Sequence, residues 1–167
     1  MGNAYPLLGA GGAFLVSVGA AIAIGGILQR RLWALLAAGV ALGSTLAALV
    51  SIAGHLGPPS RLQIASLIVA ILFEIAGIVW VNSSLRSRGR RTLLLATLAV
   101  VGAHFFLMVP AFGFLIGLLA ALSVMNAAVG LALAPQTSWQ VFWVLDGVLK
   151  LTVGGIMFVL APRTCGG

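Results

Sequence analysis

Two ionisable residues of opposite charge, Asp146 and Lys150, lie four positions apart in the otherwise apolar stretch of residues 141–155. On a helix, residues with this spacing share a face and lie one turn apart, so the carboxylate and the ammonium can pair. A charged side chain within a membrane segment is costly, so it is expected to face a bundle interior and to have a partner. The stretch therefore predicts a membrane helix that contributes a polar group to the centre of a bundle.

Three further polar side chains fall within other apolar stretches, namely Glu74, His104 and Asn126. Taking a rise of ~1.5 Å per residue, we expect each of them close to the middle of its helix. Together with Asp146 and Lys150 they would lie within roughly 5 Å of the membrane midplane if the helices are upright. Five polar groups at one depth predict one shared cluster, which is the candidate site for a proton, an ion or a ligand.

The charges of this cluster do not balance, because it contains two acids and one base. Either one acid binds a proton, since burial disfavours its charge, or His104 becomes the second cation. Glu74 is expected to be the neutral acid, because Asp146 already has Lys150 on its own helix. One interpretation is transport, in which Glu74 exchanges a proton and Lys150 gates Asp146. The other is structural, in which the ion pair and hydrogen bonds hold the helices together.

Other chemistries have few suitable residues, and we predict no metal and no cofactor. The two histidines, His55 and His104, are expected about 10 Å apart in depth by the same helical rise, and Cys165 is the only cysteine. A transition metal or a haem would therefore have too few ligands. The serines of the apolar stretches have no histidine at a plausible spacing, and such hydroxyls usually bond to their own helix. We expect no enzymatic activity.

The elements that must position these residues are membrane helices. Of the 167 residues, 62% are hydrophobic and only 7% are charged. A soluble domain of this size cannot bury so much apolar surface, whereas a bilayer accepts it. The net charge is +7, but the arginines lie between apolar stretches, so they indicate membrane topology. We expect the lipid bilayer as the surroundings and no nucleic acid as a partner.

A helix needs about 20 apolar residues to cross the hydrocarbon core, and six segments meet this requirement. Gly, Pro and Arg residues between them mark the loops. The predicted fold class is all-α, a polytopic bundle of six transmembrane helices in one transmembrane domain spanning residues 1–167. The predicted helices are residues 5–28, 32–54, 62–82, 92–109, 112–134 and 139–160.

Arginines are distributed unequally between the two ends of this predicted bundle. Two, Arg61 and Arg163, fall at one end, and six fall at the other, namely Arg30, Arg31, Arg86, Arg88, Arg90 and Arg91. The positive-inside rule then places the Arg-rich end in the cytoplasm and both termini outside. Tryptophans are expected at the headgroup level of that end, namely Trp33, Trp80, Trp139 and Trp143. Four loop arginines are also candidates for binding lipid headgroups, namely Arg86, Arg88, Arg90 and Arg91.

Small residues recur at every fourth position in the first two helices. In the first they are Gly9, Ala13, Ser17, Ala21 and Gly25, and in the second they are Gly39, Gly43 and Ala47. Such stripes let helix backbones approach closely, which is a main source of packing in lipid. They predict either packing within the chain, which we favour, or the interface of a homo-oligomer or a larger membrane complex.

Gly102-Ala-His-Phe-Phe106, the Asn126-bearing helix and residues 143–150 resemble a pattern in uncharacterised small multi-pass bacterial membrane proteins. The resemblance covers the C-terminal half of the chain. In that family the His-Phe pair is usually followed by Leu-Pro, whereas here Phe106-Leu107 follow it. The resemblance implies a helical membrane fold and the same polar residues, and it implies no particular activity.

These observations predict a multi-pass protein of a bacterial cytoplasmic membrane. The leading function is that of a non-enzymatic integral membrane protein, either an accessory subunit or a small carrier, with the polar cluster at its centre. The alternative is a proton-coupled transporter of a small or lipophilic solute. A carrier should have a water-accessible cavity that reaches Glu74, whereas an accessory subunit should have a dry ion pair and a broad apolar face.

Overall fold

Helices make up nearly all of the structure, a computed structural model that describes residues 5–54, 58–133 and 136–161. Within these ranges it contains seven α-helices and no β-strand. The helices are α1 (Leu8–Leu28), α2 (Leu32–Gly54), α3 (Arg61–Leu85), α4 (Arg90–Leu107), α5 (Val109–Phe112), α6 (Phe114–Ala128) and α7 (Trp139–Leu160). Single 3-10 turns follow α1 and α3, at Gln29–Arg31 and Arg86–Arg88, and a π-helical turn at Val129–Leu133 continues α6.

Six of the seven helices are long and apolar enough to cross a membrane, and only the four-residue α5 is not. The predicted all-α bundle with six spans is thereby confirmed. In hydrocarbon a helix satisfies its own backbone hydrogen bonds, which makes it the natural form for such apolar stretches.

Helix α3 extends beyond its predicted bounds of residues 62–82 at both ends. Ser60 caps it, because its hydroxyl accepts from the Gln63 N–H (3.3 Å) and the Gln63 side chain accepts from the Ser60 N–H (2.8 Å). At the other end, Asn82 and Ser83 donate to carbonyls of their own helix, Asn82 at 2.9 Å and Ser83 at 3.0 Å. These polar side chains are satisfied within the helix and do not end it, so α3 continues to Leu85.

The connection between α4 and α6 is the least accurately predicted part of the chain. Helix α4 ends at Leu107, before the predicted residue 109, and Pro110 lies in the first turn of α5, where its missing N–H is tolerated. Gly113 has a φ of 80°, a left-handed conformation that glycine adopts at little cost. The next helix therefore begins at Phe114 rather than at residue 112. Its predicted end, residue 134, lies outside the described residues.

Helix α1 packs closely against α7 through glycines spaced by seven. A Cβ atom on Gly12 would lie 2.7 Å from the Gly154 oxygen, and one on Gly19 would lie 2.8 Å from the Gly147 oxygen. Only residues without side chains allow backbones to approach so closely. Because Gly12 faces Gly154 while Gly19 faces Gly147, the two helices are antiparallel. The start of α1 and the end of α7 therefore lie at the same end of the bundle.

The predicted stripe of small residues on α1 packs against α2. A Cβ atom on Gly39 would overlap the Ala21 Cβ, and one on Gly43 would lie 3.1 Å from the Phe14 oxygen. Both small-residue faces of α1 are thus occupied by helices of the same chain. This arrangement supports the interpretation as intramolecular packing, and oligomerisation stays a prediction.

Two apolar clusters fill the bundle interior, one towards each end. The cluster at the Arg-rich end contains Leu95, Leu98, Phe142 and Trp143. Trp143 is only 3% exposed, so the prediction of a headgroup position is wrong for this indole: it faces the neighbouring helices. The second cluster lies nearer the opposite end and contains Leu15, Phe105, Ile116, Leu119, Val153 and Met157.

Helices α2 and α3 lie at the periphery of the bundle. Helix α2 packs against α1, and α3 packs against α4 and α5. In the described part of the chain, close backbone contact between these two helices is marginal at most. A cavity lies between them.

Candidate functional site

Helix α7 holds Asp146 and Lys150 one turn apart at the bundle centre. The Lys150 Nζ donates to the Asp146 Oδ2, and both side chains are 0% exposed. Helix α1 covers this pair closely, since a Cβ atom on Gly19 would lie 3.0 Å from the Lys150 Cβ. The structure therefore forms the ion pair that the spacing predicts, and it excludes solvent from it.

One contact of this pair and three buried polar atoms without a partner were not among the sequence predictions. The Lys150 Nζ lies 5.4 Å from the centroid of the Phe105 ring, a cation–π distance. The Asp146 Oδ1 is buried without a hydrogen-bond partner among the described residues, and the same holds for the Trp143 Nε1 and the Ser123 Oγ. An aromatic or a serine side chain in a membrane helix has no distinguishing pattern, so no signal in the sequence selected these residues.

Helices α3 and α4 bring Glu74 and His104 together, with 3.7 Å between the Glu74 Oε2 and the His104 Nε2. The His104 Nδ1 bonds to the Val101 carbonyl. A carbonyl oxygen only accepts, so Nδ1 carries a proton. The Nε2 atom is then an acceptor in the neutral ring and a donor in the imidazolium. At 3.7 Å the two atoms are beyond hydrogen-bond distance, and a proton bound to either Glu74 or Nε2 makes their interaction attractive.

A cavity of about 620 Å³ extends from these residues through one half of the bundle. Glu74, His104 and Lys150 lie at its inner end. Its walls are otherwise mostly apolar. They come from the early part of α1, α3 and α6, from the late part of α2, α4 and α7, and from α5. Because consecutive spans alternate in direction, these parts share one half of the bundle, the half that contains the start of α1. The cavity lies between α2 and α3, which both contribute to its walls.

The prediction of a single cluster of five residues is wrong in part. Glu74, His104 and Lys150 share the cavity, with Asp146 behind Lys150, but Asn126 does not line it. The Asn126 Nδ2 instead donates to the Phe142 carbonyl of α7 at 2.7 Å. Phe142 precedes Asp146 by one turn, so this hydrogen bond lies nearer the Arg-rich end. His104 lies in the last turn of α4 rather than near its middle, because α4 ends at Leu107.

The four loop arginines have different surroundings. Arg91 donates from Nη2 to the Gly130 carbonyl at 2.6 Å and from Nε to the Thr137 carbonyl at 3.4 Å. It thereby satisfies a carbonyl of the π-helical turn after α6. Arg90 lies 5.6 Å above the Trp139 ring, while Arg86 and Arg88 are exposed. Headgroup binding stays a prediction for all four arginines. Three of them are exposed, namely Arg86, Arg88 and Arg90, and Arg91 also makes a structural contact.

These residues can bind a proton and can contact a ligand in the cavity. The described residues contain no group of three His, Cys, Asp or Glu side chains that could hold a metal ion, and His55 and Cys165 lie outside them. Of the ionisable residues that line the cavity, Glu74 has the most exposed side chain, 31% against 5% for His104. The site can therefore hold one proton between two groups and present a carboxyl group to an apolar cavity.

Six apolar spans around a buried ion pair define the class, a polytopic membrane protein. The chain belongs to the family of unknown function DUF6609, which matches residues 4–165. No curated protein and no solved structure matches the chain. The family covers nearly the whole chain and assigns no activity. The resemblance of the C-terminal half to small bacterial membrane proteins stays a prediction, as does a location in the bacterial cell membrane.

Proposed function

We propose that this protein is a small membrane carrier that binds one lipophilic solute in the cavity between α2 and α3 and catalyses no reaction. The cavity is the observation that supports this proposal. Its volume of about 620 Å³ is within the ~300–1,000 Å³ that pockets for drug-sized ligands occupy. Apolar walls with a few convergent polar groups are the usual composition of such pockets.

The position of the cavity suits a solute that dissolves in the bilayer. Such a solute would enter laterally between α2 and α3, because their described residues make at most marginal backbone contact with each other. The other half of the bundle is filled by the apolar cluster around Leu98 and Phe142. Release at the opposite face would therefore require α2 or α3 to move. These two helices pack against few others, so they are the elements that can move at least cost.

Proton coupling is the alternative form of this function, and the contact between Glu74 and His104 supports it. A proton shared by these two side chains would leave when the solute arrives and return when the solute departs. The cavity reaches this pair directly, so the solute and the proton would compete for one place.

Binding to the cavity can be tested with N-phenyl-1-naphthylamine, a neutral apolar dye whose fluorescence rises in apolar surroundings. Ile71 lines the cavity, whereas its neighbour Leu72 lies at the same depth and does not line it. We expect saturable binding of the dye to the parent protein in nanodiscs. The Ile71→Trp variant should lose this binding because the indole fills the cavity, and the matched Leu72→Trp variant should retain it. Equal binding by all three proteins would refute the carrier proposal.

A second candidate is an accessory subunit that holds a larger membrane complex or a homo-oligomer together. The fully buried pair of Asp146 and Lys150 favours it, since a dry ion pair is the feature expected of an accessory subunit. In that case the dye would not distinguish Ile71→Trp from Leu72→Trp, and cross-linking in native membranes would capture a partner on α2 or α3. A second copy of this chain as that partner would identify the homo-oligomer.

A further inference from the structure

The accessible ionisable group of the cavity is an acid. Glu74 is 31% exposed, whereas Lys150, the basic residue that lines the same cavity, has no exposed surface and is paired with Asp146. The cavity therefore offers a ligand a carboxyl group and no free ammonium.

The charges around Glu74 leave a place for one positive charge. Asp146 and Lys150 neutralise each other. His104 faces Glu74 from α4, and Lys150 is the other ionisable side chain at the cavity from α7. Within the described residues, the lining parts of α1, α2, α5 and α6 contribute no ionisable side chain. Without the shared proton, the four residues carry a net charge of one negative unit inside a hydrocarbon layer, which is costly. A proton removes that cost, and so does a ligand cation.

The walls suit a cation whose charge is carried by an apolar body. Phe14, Phe105 and Phe112 line the cavity, and aromatic faces attract cations within about 6 Å. The ring of Phe105 already lies near one ammonium, that of Lys150. A strongly hydrated inorganic ion would find few oxygen ligands among such walls.

We propose that the solute is a lipophilic monocation, such as a protonated amine with an apolar body, which pairs with Glu74 in place of the proton shared with His104. This inference rests on the proposed carrier function. The exchange is balanced: one positive charge enters as one proton leaves, so the charge of the site does not change. Lys150 and Asp146 stay paired throughout.

The test uses tritiated tetraphenylphosphonium as the cation and tetraphenylborate as an anion of the same shape. We expect the purified protein to bind the cation saturably, to bind the anion far more weakly, and to release about one proton per cation bound. The apparent Kd for the cation should rise about tenfold for each unit by which the pH is lowered on the acid side of the Glu74 titration, because the proton competes with the cation. Glu74→Gln, which keeps the shape and removes the charge, should lose most of the cation binding and all of the proton release.

Binding of N-phenyl-1-naphthylamine separates failure of this inference from failure of the carrier proposal. The dye is neutral, so Glu74→Gln should still bind it, which also shows that the variant is folded. Retained cation binding in Glu74→Gln, or equal binding of the anion, would overturn the inference and leave the carrier proposal standing. If the dye bound equally well to Ile71→Trp and Leu72→Trp, both the inference and the carrier proposal would be overturned.

Discussion

Lys150 donates to Asp146 one helical turn away on α7, and neither side chain has any exposed surface. Removing one partner leaves an unpaired charge in the bundle interior, which costs about 3–5 kcal/mol, whereas removing both can be nearly neutral. We therefore expect Asp146→Asn and Lys150→Met to be strongly destabilised and the double variant to recover most of the loss. Thermal unfolding in mild detergent measures this. A double variant that is less stable than either single variant would show that the charges do not act as a pair.

The close approach of α1 and α7 predicts different effects for two adjacent glycines. A Cβ atom on Gly154 would lie 2.8 Å from the Leu15 Cβ and 2.9 Å from the Gly12 oxygen, whereas one on Gly155 would have nothing within 4 Å. Gly154→Ala should therefore destabilise the protein by about 1–3 kcal/mol, because helix α1 must shift. Gly155→Ala should change the stability by no more than about 0.5 kcal/mol. Equal unfolding temperatures for the two variants would contradict this packing.

The hydrogen bond between α6 and α7 predicts a modest effect for Asn126. Its amide donates to the Phe142 carbonyl on another helix, whereas the amide of Asn82 donates to its own helix. Interhelical hydrogen bonds in membranes contribute about 0.6 kcal/mol on average and at most about 1.7 kcal/mol. We expect Asn126→Leu to lose stability within this range and Asn82→Leu to lose none. Denaturation in mixed micelles can resolve the difference in stability. If Asn82→Leu lost more stability than Asn126→Leu, the Asn126 contact would contribute nothing.

The unequal distribution of arginines predicts the orientation of the chain. Ser87 lies in the 3-10 turn between Arg86 and Arg88, and Ser60 caps α3 at the opposite end. In a background with Cys165→Ser, a cysteine at Ser87 should react with a membrane-impermeant maleimide only after the cells are opened. A cysteine at Ser60 should react in intact cells, because the positive-inside rule places that end outside. Reversed labelling would show that both termini lie in the cytoplasm.

Local features of the sequence were sufficient to predict the membrane spans and the ion pair on α7. Length and apolar composition decide whether a helix crosses a bilayer, and the spacing of four between Asp146 and Lys150 is a property of one helix. The approach of α1 to α7 also had a signal, since Gly12, Gly19 and Gly26 repeat every seven residues and match Gly147 and Gly154. That repeat of seven differs from the stripe of small residues at every fourth position, from which helix packing was predicted.

Relations between helices could not be predicted in the same way. Depth along a helix placed Glu74, His104 and Asn126 at similar levels, but the rotation and tilt of each helix decide which side chains meet. Glu74 meets His104 because α3 packs on α4, and Asn126 reaches Phe142 instead. The cavity depends on α2 and α3 being held apart by what they pack against, which no stretch of sequence encodes alone.

By itself, the sequence determined that this chain forms six apolar helices and that Asp146 and Lys150 pair, because hydropathy and helical spacing act within one segment. The tertiary structure alone decided that Glu74 lies 3.7 Å from His104 and faces an apolar cavity. The physical reason is that contacts across a bundle depend on the packing of several helices at once, and in lipid this packing follows small residues and backbone approach rather than hydrophobic pattern.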